Sequence, residues 1–151
     1  MTGETHDGAC RCGQVRFRVH GAPMVTMACH CTGCQRMTAS AFSLSSLYPS
    51  DRFEVTAGET VLGGLRAELD HRFCPSCMSW MFTRWQSDLV NVRSTLLDDA
   101  ADHRPFLESC IEERLPWART GAVHSFEGFP PPERYPALMA EFAAWRATPP
   151  S

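Results

Sequence analysis

The chain has 151 residues, 44% of them hydrophobic, a length and composition that suit one domain with its own core. Its 14 basic residues are all arginine and stand against 17 acidic residues, which gives a formal net charge of -3. The lack of lysine excludes a lysine Schiff base. The negative balance disfavours nucleic acid as a partner, because nucleic-acid binding needs a positive face.

The N-terminal stretch "MTGETHDGAC" is polar and acidic, with neither the basic nor the apolar part of a signal peptide. No later run approaches the roughly 18 apolar residues that a membrane-spanning helix needs. We therefore expect a soluble, cytoplasmic protein that contacts no membrane. Residues 1–7 are expected to form a flexible N-terminus.

Short strands are predicted through the first two thirds of the chain. Val15, Phe17 and Val19 alternate with polar residues, the period of a half-buried strand, and this run ends at a glycine and a proline. The segments "MVTMAC" and "SAFSLSSLY" predict two further strands. Shorter apolar pieces follow in "DRFEV" and "ETVLGGL", and "AELDHRF" alternates again before Cys74. Each cysteine cluster thus lies where a strand meets a turn.

The last third predicts fewer elements. "DLVNVRSTL" is typical of a strand, whereas "RPFLESCIEE" is compatible with a strand or a helical turn. Leu138, Phe142 and Trp145 recur at helical spacing after the turn-forming "GFPPP", which predicts a C-terminal helix over residues 133–147 and a loose tail at 148–151. The fold class predicted from these patterns is mainly β, with short antiparallel strands and one C-terminal helix.

Seven of the eight cysteines fall into three groups with the spacing of metal ligands. A C-x-x-C turn brings two thiolates onto one ion, and C-x-C does so from an extended segment because residues i and i+2 point to one side. Clustering of this kind favours metal over disulfides. The groups are Cys10 and Cys12; Cys29, Cys31 and Cys34; and Cys74 and Cys77.

Two partitions of these ligands are open from spacing alone. In one, the first and last pairs form a closed four-sulfur zinc site, and the middle three hold a second ion with one position left for water or substrate. In the other, Cys31 and Cys34 join Cys74 and Cys77 in a single ribbon-like site. Thiolate ligands favour zinc or iron-sulfur over hard cations in either case.

The middle group raises the question of its fourth ligand. An ion held by three thiolates binds another soft sulfur well, which points to a thiol substrate. The alternative is a structural knuckle completed by His30, by Cys110 or by a distant histidine. His30 is disfavoured, because a residue between two ligands on an extended segment points to the other side. Cys110 is more typical of a buried small hydrophobic residue.

The chain resembles the glutathione-dependent formaldehyde-activating enzyme and centromere-protein-V family. The resemblance lies in "GACRCGQVRF", "CHCTGCQRMTASAF" and "FCPSC", and more loosely in "STLLDD", Pro116 with Trp117, and "FEGFPPP". It covers residues 8–132, which are expected to form one zinc-binding domain that carries the C-terminal helix. The resemblance implies a β-tent of small antiparallel sheets stabilised by zinc.

The same resemblance implies the partition and the activity. It assigns a structural zinc to Cys10, Cys12, Cys74 and Cys77, and an open catalytic zinc to Cys29, Cys31 and Cys34, two Zn²⁺ per chain. The implied activity is a carbon-sulfur lyase or synthase reaction on a thiol-aldehyde adduct, as in the addition of glutathione to formaldehyde. The expected partners are a small thiol, with glutathione as the first candidate, and an aldehyde.

Three single residues complete these expectations. Arg36, two residues after Cys34, is the candidate partner for a carboxylate on the thiol substrate. Met78 and Ala39 stand where family members usually carry glycine.

A zinc-stabilised module that binds a partner protein without catalysis is the alternative function. The oligomeric state is left open.

Overall fold

The computed structural model describes residues 3–65 and 69–149. In chain order the strands are β1 (Thr5–Ala9), β2 (Arg16–His20), β3 (Val25–Cys29), β4 (Ser43–Pro49), β5 (Phe53–Ala57), β6 (Val61–Leu62), β7 (Asp70–Phe73), β8 (Trp80–Trp85), β9 (Leu89–Arg93), β10 (Leu107–Ser109) and β11 (His124–Ser125). The two α-helices are α1 (Thr32–Thr38) and α2 (Tyr135–Arg146). The mainly β fold with a C-terminal helix is therefore confirmed.

The chain divides into two compact units, residues 1–23 with 45–104 and residues 24–44 with 105–151. The boundary of a single domain at residues 8–132 stays a prediction. No helix in the described ranges has the length and apolar character needed to cross a membrane.

Among the described residues of the first unit, the strand pairs are all antiparallel. Strands β1, β2 and β5 form a three-stranded sheet in that order, and β4, β9, β8, β7 and β6 pair successively. In β2 the predicted alternation is observed, because Phe17 and Val19 are buried while Arg16 is exposed. The buried cluster of this unit also includes Tyr48 and Phe82.

The second unit contains parallel pairs, which differ from the antiparallel sheets expected. Strand β10 pairs in parallel with β3, with Ser109 opposite Cys29, and also with β11. The sequence "RPFLESCIEE" thus supplies a strand followed by a 3₁₀ turn at Ile111–Glu113. Sequence reading misses this arrangement because parallel pairing depends on distant segments and not on local periodicity.

Helix α2 belongs to the second unit and follows its predicted pattern. Leu138 and Phe142 are buried, and the Phe106 ring lies 5.5 Å from the Phe142 ring and 5.1 Å from the Trp145 ring. Pro136 stands in the first turn, where its missing N–H costs no helical hydrogen bond. The helix is therefore held by its apolar face.

Three sequence expectations need correction or limits. The flexible N-terminus is wrong for Thr5–Asp7, which lie in β1 and pair with β2, while residues 1–2 lie outside the described residues. Helix α1 and strands β1, β8 and β11 were not predicted. Part of the predicted run "AELDHRF" (residues 67–68) and of the predicted tail (residues 150–151) also lies outside the described ranges.

Candidate metal centres

Four cysteines of the first unit come together from two hairpin turns. Cys10 follows β1, and its N–H donates to the Val15 carbonyl to close the turn before β2. Cys74 follows β7, and its N–H donates to the Ser79 carbonyl to close the turn before β8. Cys12 and Cys77 lie inside these two turns. The sulfurs of Cys10, Cys12, Cys74 and Cys77 all lie within 4.8 Å of one another.

The sulfur separations match a tetrahedral zinc site. The Cys10 and Cys12 sulfurs are 3.6 Å apart, and those of Cys12 and Cys74 are 3.8 Å apart. With Zn–S bonds of about 2.3 Å, the edge of a tetrahedron is about 3.8 Å. A disulfide needs a separation of about 2.05 Å, and all eight cysteines are free. The four sulfurs therefore fit zinc and not a disulfide.

Hydrogen-bond donors lie against three of these four sulfurs. The Val15 N–H donates to the Cys10 sulfur, and the N–H groups of Ser76 and Cys77 donate to the Cys74 sulfur, each at 3.4 Å. The Ser79 hydroxyl lies 3.2 Å from the Cys77 sulfur and lowers the pKa of that thiol to about 5. The turns thus supply both the ligands and donors for their negative charge.

Three cysteines of the second unit form a separate group. Cys29 is the last residue of β3, Cys31 is the N-cap of α1, and Cys34 lies in the first turn of that helix. The Cys34 N–H donates to the Cys31 sulfur at 3.3 Å, so a ligand sulfur also satisfies a free donor of the helix start. The three sulfurs lie within 4.8 Å of one another. These two groups correspond to the first partition.

The three thiols differ in acidity because they share hydrogen bonds. The Cys34 thiol and the Ser109 hydroxyl donate to the Cys29 sulfur and, against the effect of burial, lower the pKa of Cys29 to about 5. The pKa of Cys34 is raised, because its proton is held in the hydrogen bond to Cys29. Burial raises the pKa of Cys31. Three cysteine sulfurs form a donor set suited to a soft cation.

Polar contacts fix the strand-to-helix segment that carries this group. The Gln35 side-chain amide donates to the carbonyls of His30 and Glu113, at 2.8 and 3.0 Å. The Thr32 N–H and hydroxyl both donate to Glu113 Oε1 at 3.1 Å. The ligand segment is therefore tied to the 3₁₀ turn that follows β10.

His30, between Cys29 and Cys31, is fully buried and helps to hold the ligand segment. Its Nε2 lies 2.7 Å from Oε1 of Glu108, and that carboxylate also accepts from the hydroxyls of Thr120 and Ser125. His30 is absent from the sulfur group, as its position between two ligands predicts. Burial raises the pKa of Glu108, but the hydrogen bonds from Ser125 and His30 lower it overall.

Cys110 lies near the second group without joining it. Among the described residues, the sulfurs that lie within 4.8 Å of one another at this site are those of Cys29, Cys31 and Cys34. Cys110 is buried, and burial together with the nearby Cys29 charge raises its pKa to about 12. Cys110 is therefore set apart from the ligand group by its position and not by its acidity.

Arg36 lies in helix α1 and is exposed. Two residues along a helix correspond to about 200° around its axis, so the side chains of Arg36 and Cys34 do not share a face.

Ala39 and Met78, which stand where the family usually carries glycine, both have left-handed backbone, with φ of 53° and 61°. Glycine is the residue that adopts this conformation without strain.

Most of the aromatic residues after the last cysteine pair belong to the core. Trp80 and Phe82 are buried, whereas Trp85 is exposed.

Sequence reading missed several side chains around the second group, namely Ser109, Glu108, Glu113 and Tyr135. Burial and the Cys29 charge raise the pKa of Tyr135. Their sequence positions carry no spacing signal, because β10 reaches Cys29 only through tertiary pairing.

Together, the fold and the two sulfur groups define a mainly β protein with cysteine clusters that could bind zinc. Comparison with known families adds a match over residues 5–113 to the model of the glutathione-dependent formaldehyde-activating enzyme. This match spans more than half of the chain, so the protein belongs to that family.

No curated protein matches the chain. Among solved structures, a crystal structure of a Rhodobacter sphaeroides protein is similar at 16% identity, with a TM-score of 0.46, over 79% of this chain and 98% of that chain.

Proposed function

We propose that the protein is a zinc-dependent enzyme that forms or cleaves a carbon-sulfur bond in an adduct of a small thiol and an aldehyde. The observation that carries the proposal is a group of three cysteine sulfurs, those of Cys29, Cys31 and Cys34, which lie within 4.8 Å of one another. Three protein ligands leave a position for substrate, as catalytic zinc sites require. Family membership supports glutathione and formaldehyde as the substrates to test first.

The proposal assigns different roles to the two groups. Cys10, Cys12, Cys74 and Cys77 would hold a structural zinc, because four thiolates close a tetrahedral site. Cys29, Cys31 and Cys34 would hold the catalytic zinc, which gives two Zn²⁺ per chain. When bound there, zinc would lower the pKa of an incoming thiol and so supply a thiolate nucleophile near neutral pH.

The chain's own residues prepare this chemistry. The Ser109 hydroxyl keeps charge on the Cys29 sulfur, and the Glu113 and Gln35 contacts hold Cys31 and Cys34 in place. In the addition, the substrate sulfur bonds to the carbonyl carbon, and the carbonyl π pair moves to oxygen. That oxygen takes up the proton that the thiol has lost. The reverse sequence is the lyase direction, and no oxidant or reductant is needed.

Arg36 remains our candidate partner for a substrate carboxylate. A guanidinium can bind a carboxylate in a bidentate way, and its exposure leaves it accessible to a substrate from solution. Its position away from the Cys34 face means that the carboxylate would have to extend around α1. A cytoplasmic location, where thiols stay reduced, belongs to the same proposal.

The experiment is the rate of exchange between free ¹³C-formaldehyde and its glutathione adduct, measured by NMR exchange spectroscopy with zinc-loaded protein. We expect the protein to accelerate exchange over buffer, Cys31→Ser to abolish the acceleration, and Glu112→Gln, at an exposed position outside both groups, to retain it. A folded, fully loaded protein that accelerates neither this exchange nor that of other low-molecular-weight thiols and aldehydes would contradict the proposal.

A further inference from the structure

A third cluster of metal-binding side chains lies in the first unit, apart from both cysteine groups. It consists of His6, Asp99 and His103, with one donor atom from each residue within 4.8 Å of the others. His6 is in β1, Asp99 precedes the 3₁₀ turn at Ala100–Asp102, and His103 follows that turn. Nothing in the proposed carbon-sulfur chemistry uses this cluster.

Both imidazoles face the same carboxylate. Nδ1 of His6 lies 2.6 Å from Oδ2 of Asp99, and Nε2 of His103 lies 3.3 Å from Oδ1. With metal-ligand bonds of about 2.1 Å, donor atoms around a tetrahedral ion are about 3.4 Å apart. The His103 pair has that separation. The shorter distance, between Nδ1 of His6 and Oδ2 of Asp99, is that of a hydrogen bond through a proton. A bound metal ion would replace this proton.

The outer nitrogen of each imidazole lies beside an oxygen. Nε2 of His6 is 3.0 Å from Oε1 of Glu4, and Nδ1 of His103 is 3.2 Å from the Ser46 hydroxyl, which in turn lies 2.8 Å from the Ser94 hydroxyl. Metal-binding histidines commonly make such contacts, because an oxygen on the outer nitrogen sets which nitrogen faces the metal. The cluster therefore has the surroundings of a metal site as well as its donors.

Burial further separates the cluster from ordinary surface histidine pairs. The side chains of His6 and His103 are 9% and 3% exposed, whereas that of Asp99 is 32% exposed. Two imidazoles are thus fixed in the interior, and the carboxylate lies on the side that solvent reaches. This arrangement would give an ion three protein ligands and a position for water.

The backbone holds the two segments of the cluster together. Gly8 and Leu97 form an antiparallel bridge, and the Asp98 N–H donates to the Asp7 carbonyl at 2.8 Å. A Cβ on Gly8 would lie 2.7 Å from the Leu96 carbonyl oxygen, so glycine is needed for this approach. The donors are consequently preorganised across 93 residues of sequence.

We propose that His6, Asp99 and His103 form a third metal site, for a borderline divalent transition metal such as Zn²⁺ or Co²⁺. Two of its three donors are imidazole nitrogens, which suit zinc, cobalt, nickel or iron, whereas Mg²⁺ and Ca²⁺ take oxygen ligands. The ion would cross-link β1 to the segment that ends at His103. The alternative is a purely structural network in which protons bridge the imidazoles and the carboxylate.

Cobalt titration of protein whose cysteine groups have first been loaded with zinc separates these two possibilities. Zinc outcompetes cobalt at thiolate ligands, so cobalt would report on other donors. We expect one cobalt per chain beyond two zinc ions, with visible d–d bands and no near-ultraviolet sulfur-to-cobalt charge transfer. Wild-type protein that holds two zinc ions per chain and takes up no cobalt, or shows only charge transfer from sulfur, would overturn the proposal.

Variants locate the bound cobalt. We expect His6→Gln and Asp99→Asn to abolish its uptake while both zinc ions are retained, and His20→Gln, on the neighbouring strand β2, to leave uptake unchanged. Persistent uptake in the first two variants would place the metal elsewhere and contradict the site. If these variants do not fold, the wild-type protein still decides. Paramagnetically shifted proton spectra must show the N–H signals of two coordinated imidazoles, and fewer than two contradict the site.

Discussion

The four-cysteine group of the first unit and the three-cysteine group of the second unit differ in ligand number and in surroundings. In the first unit, Cys10 and Cys74 belong to the buried core cluster, and three backbone N–H groups donate to ligand sulfurs. In the second unit all three ligand cysteines are half-buried. The first group is therefore anchored in a core through Cys10 and Cys74, although Cys12 is exposed. The second group lies at a strand end and a helix start. This difference suggests that metal in the first group stabilises the fold, and that metal in the second acts on a substrate.

Removing a ligand from the four-cysteine group of the first unit should have the largest effect on stability. We predict that Cys74→Ser unfolds the protein, because structural zinc contributes about 10 to 16 kcal/mol and domains are stable by only about 5 to 15 kcal/mol. Near-ultraviolet circular dichroism and thermal melting measure the loss. A Cys74→Ser protein that melts cooperatively at the wild-type temperature would contradict a structural role for this group.

The equivalent change in the second group should separate activity from folding. We predict that Cys31→Ser stays folded, contains one zinc fewer than the wild type and loses more than about a hundredfold in activity, since losing even an outer-shell partner of a metal costs 10- to 100-fold. Elemental analysis and the exchange rate provide the measurements. Retention of both zinc ions would rule out the three-ligand site.

Cys110 distinguishes an open second group from a closed one. We predict that Cys110→Ala keeps both zinc ions and its activity, and that it loses about 1 kcal/mol in free energy of unfolding from the removed buried atom. The check is zinc stoichiometry alongside chemical denaturation. Loss of one zinc ion would identify Cys110 as the fourth ligand and favour a structural knuckle.

Met78 provides a smaller test of the turn at the first group. Its φ of 61° is left-handed, which costs a non-glycine residue about 1 to 2 kcal/mol, while glycine adds about 0.5 to 1 kcal/mol of chain entropy. We predict that Met78→Gly raises the free energy of unfolding by up to about 1 kcal/mol. Ala39→Gly, at the end of α1, is the matched change in the second unit. Destabilisation by Met78→Gly would mean that the exposed side chain makes a stabilising contact.

Arg36→Ala should have the smallest effect. An exposed ion pair contributes about 1 kcal/mol at most, so we predict that KM for glutathione rises no more than about fivefold with kcat unchanged. Arg11→Ala, at an exposed arginine beside the first group, serves as the control. An Arg36→Ala enzyme with the KM of the wild type would remove Arg36 from substrate binding.

Local patterns in the sequence account for much of the fold and of both sulfur groups. Alternation identified β2, helical spacing identified α2, and cysteine spacing identified every member of the two groups. Helix α1 was missed because "TGCQRMT" buries none of its residues and so shows no apolar periodicity. Strand β1 was missed because its polar sequence is held by pairing with β2.

The remaining features depend on contacts between distant parts of the chain. Ser109 reaches Cys29 only because β10 pairs in parallel with β3. His6 and Asp99 are separated by 93 residues, and no local spacing relates them. Sequence reading therefore identified the ligands that are grouped along the chain, but not the side chains that support them.

The visible and near-ultraviolet spectrum of protein with cobalt in the second group, recorded before and after adding glutathione, tests the central claim most directly. The account predicts that glutathione adds a fourth sulfur to the ion, so the sulfur-to-cobalt charge-transfer band gains intensity and the d–d bands shift. In Cys31→Ser this response should disappear. A wild-type spectrum that stays unchanged with glutathione and with every other low-molecular-weight thiol would contradict an open, thiol-binding site.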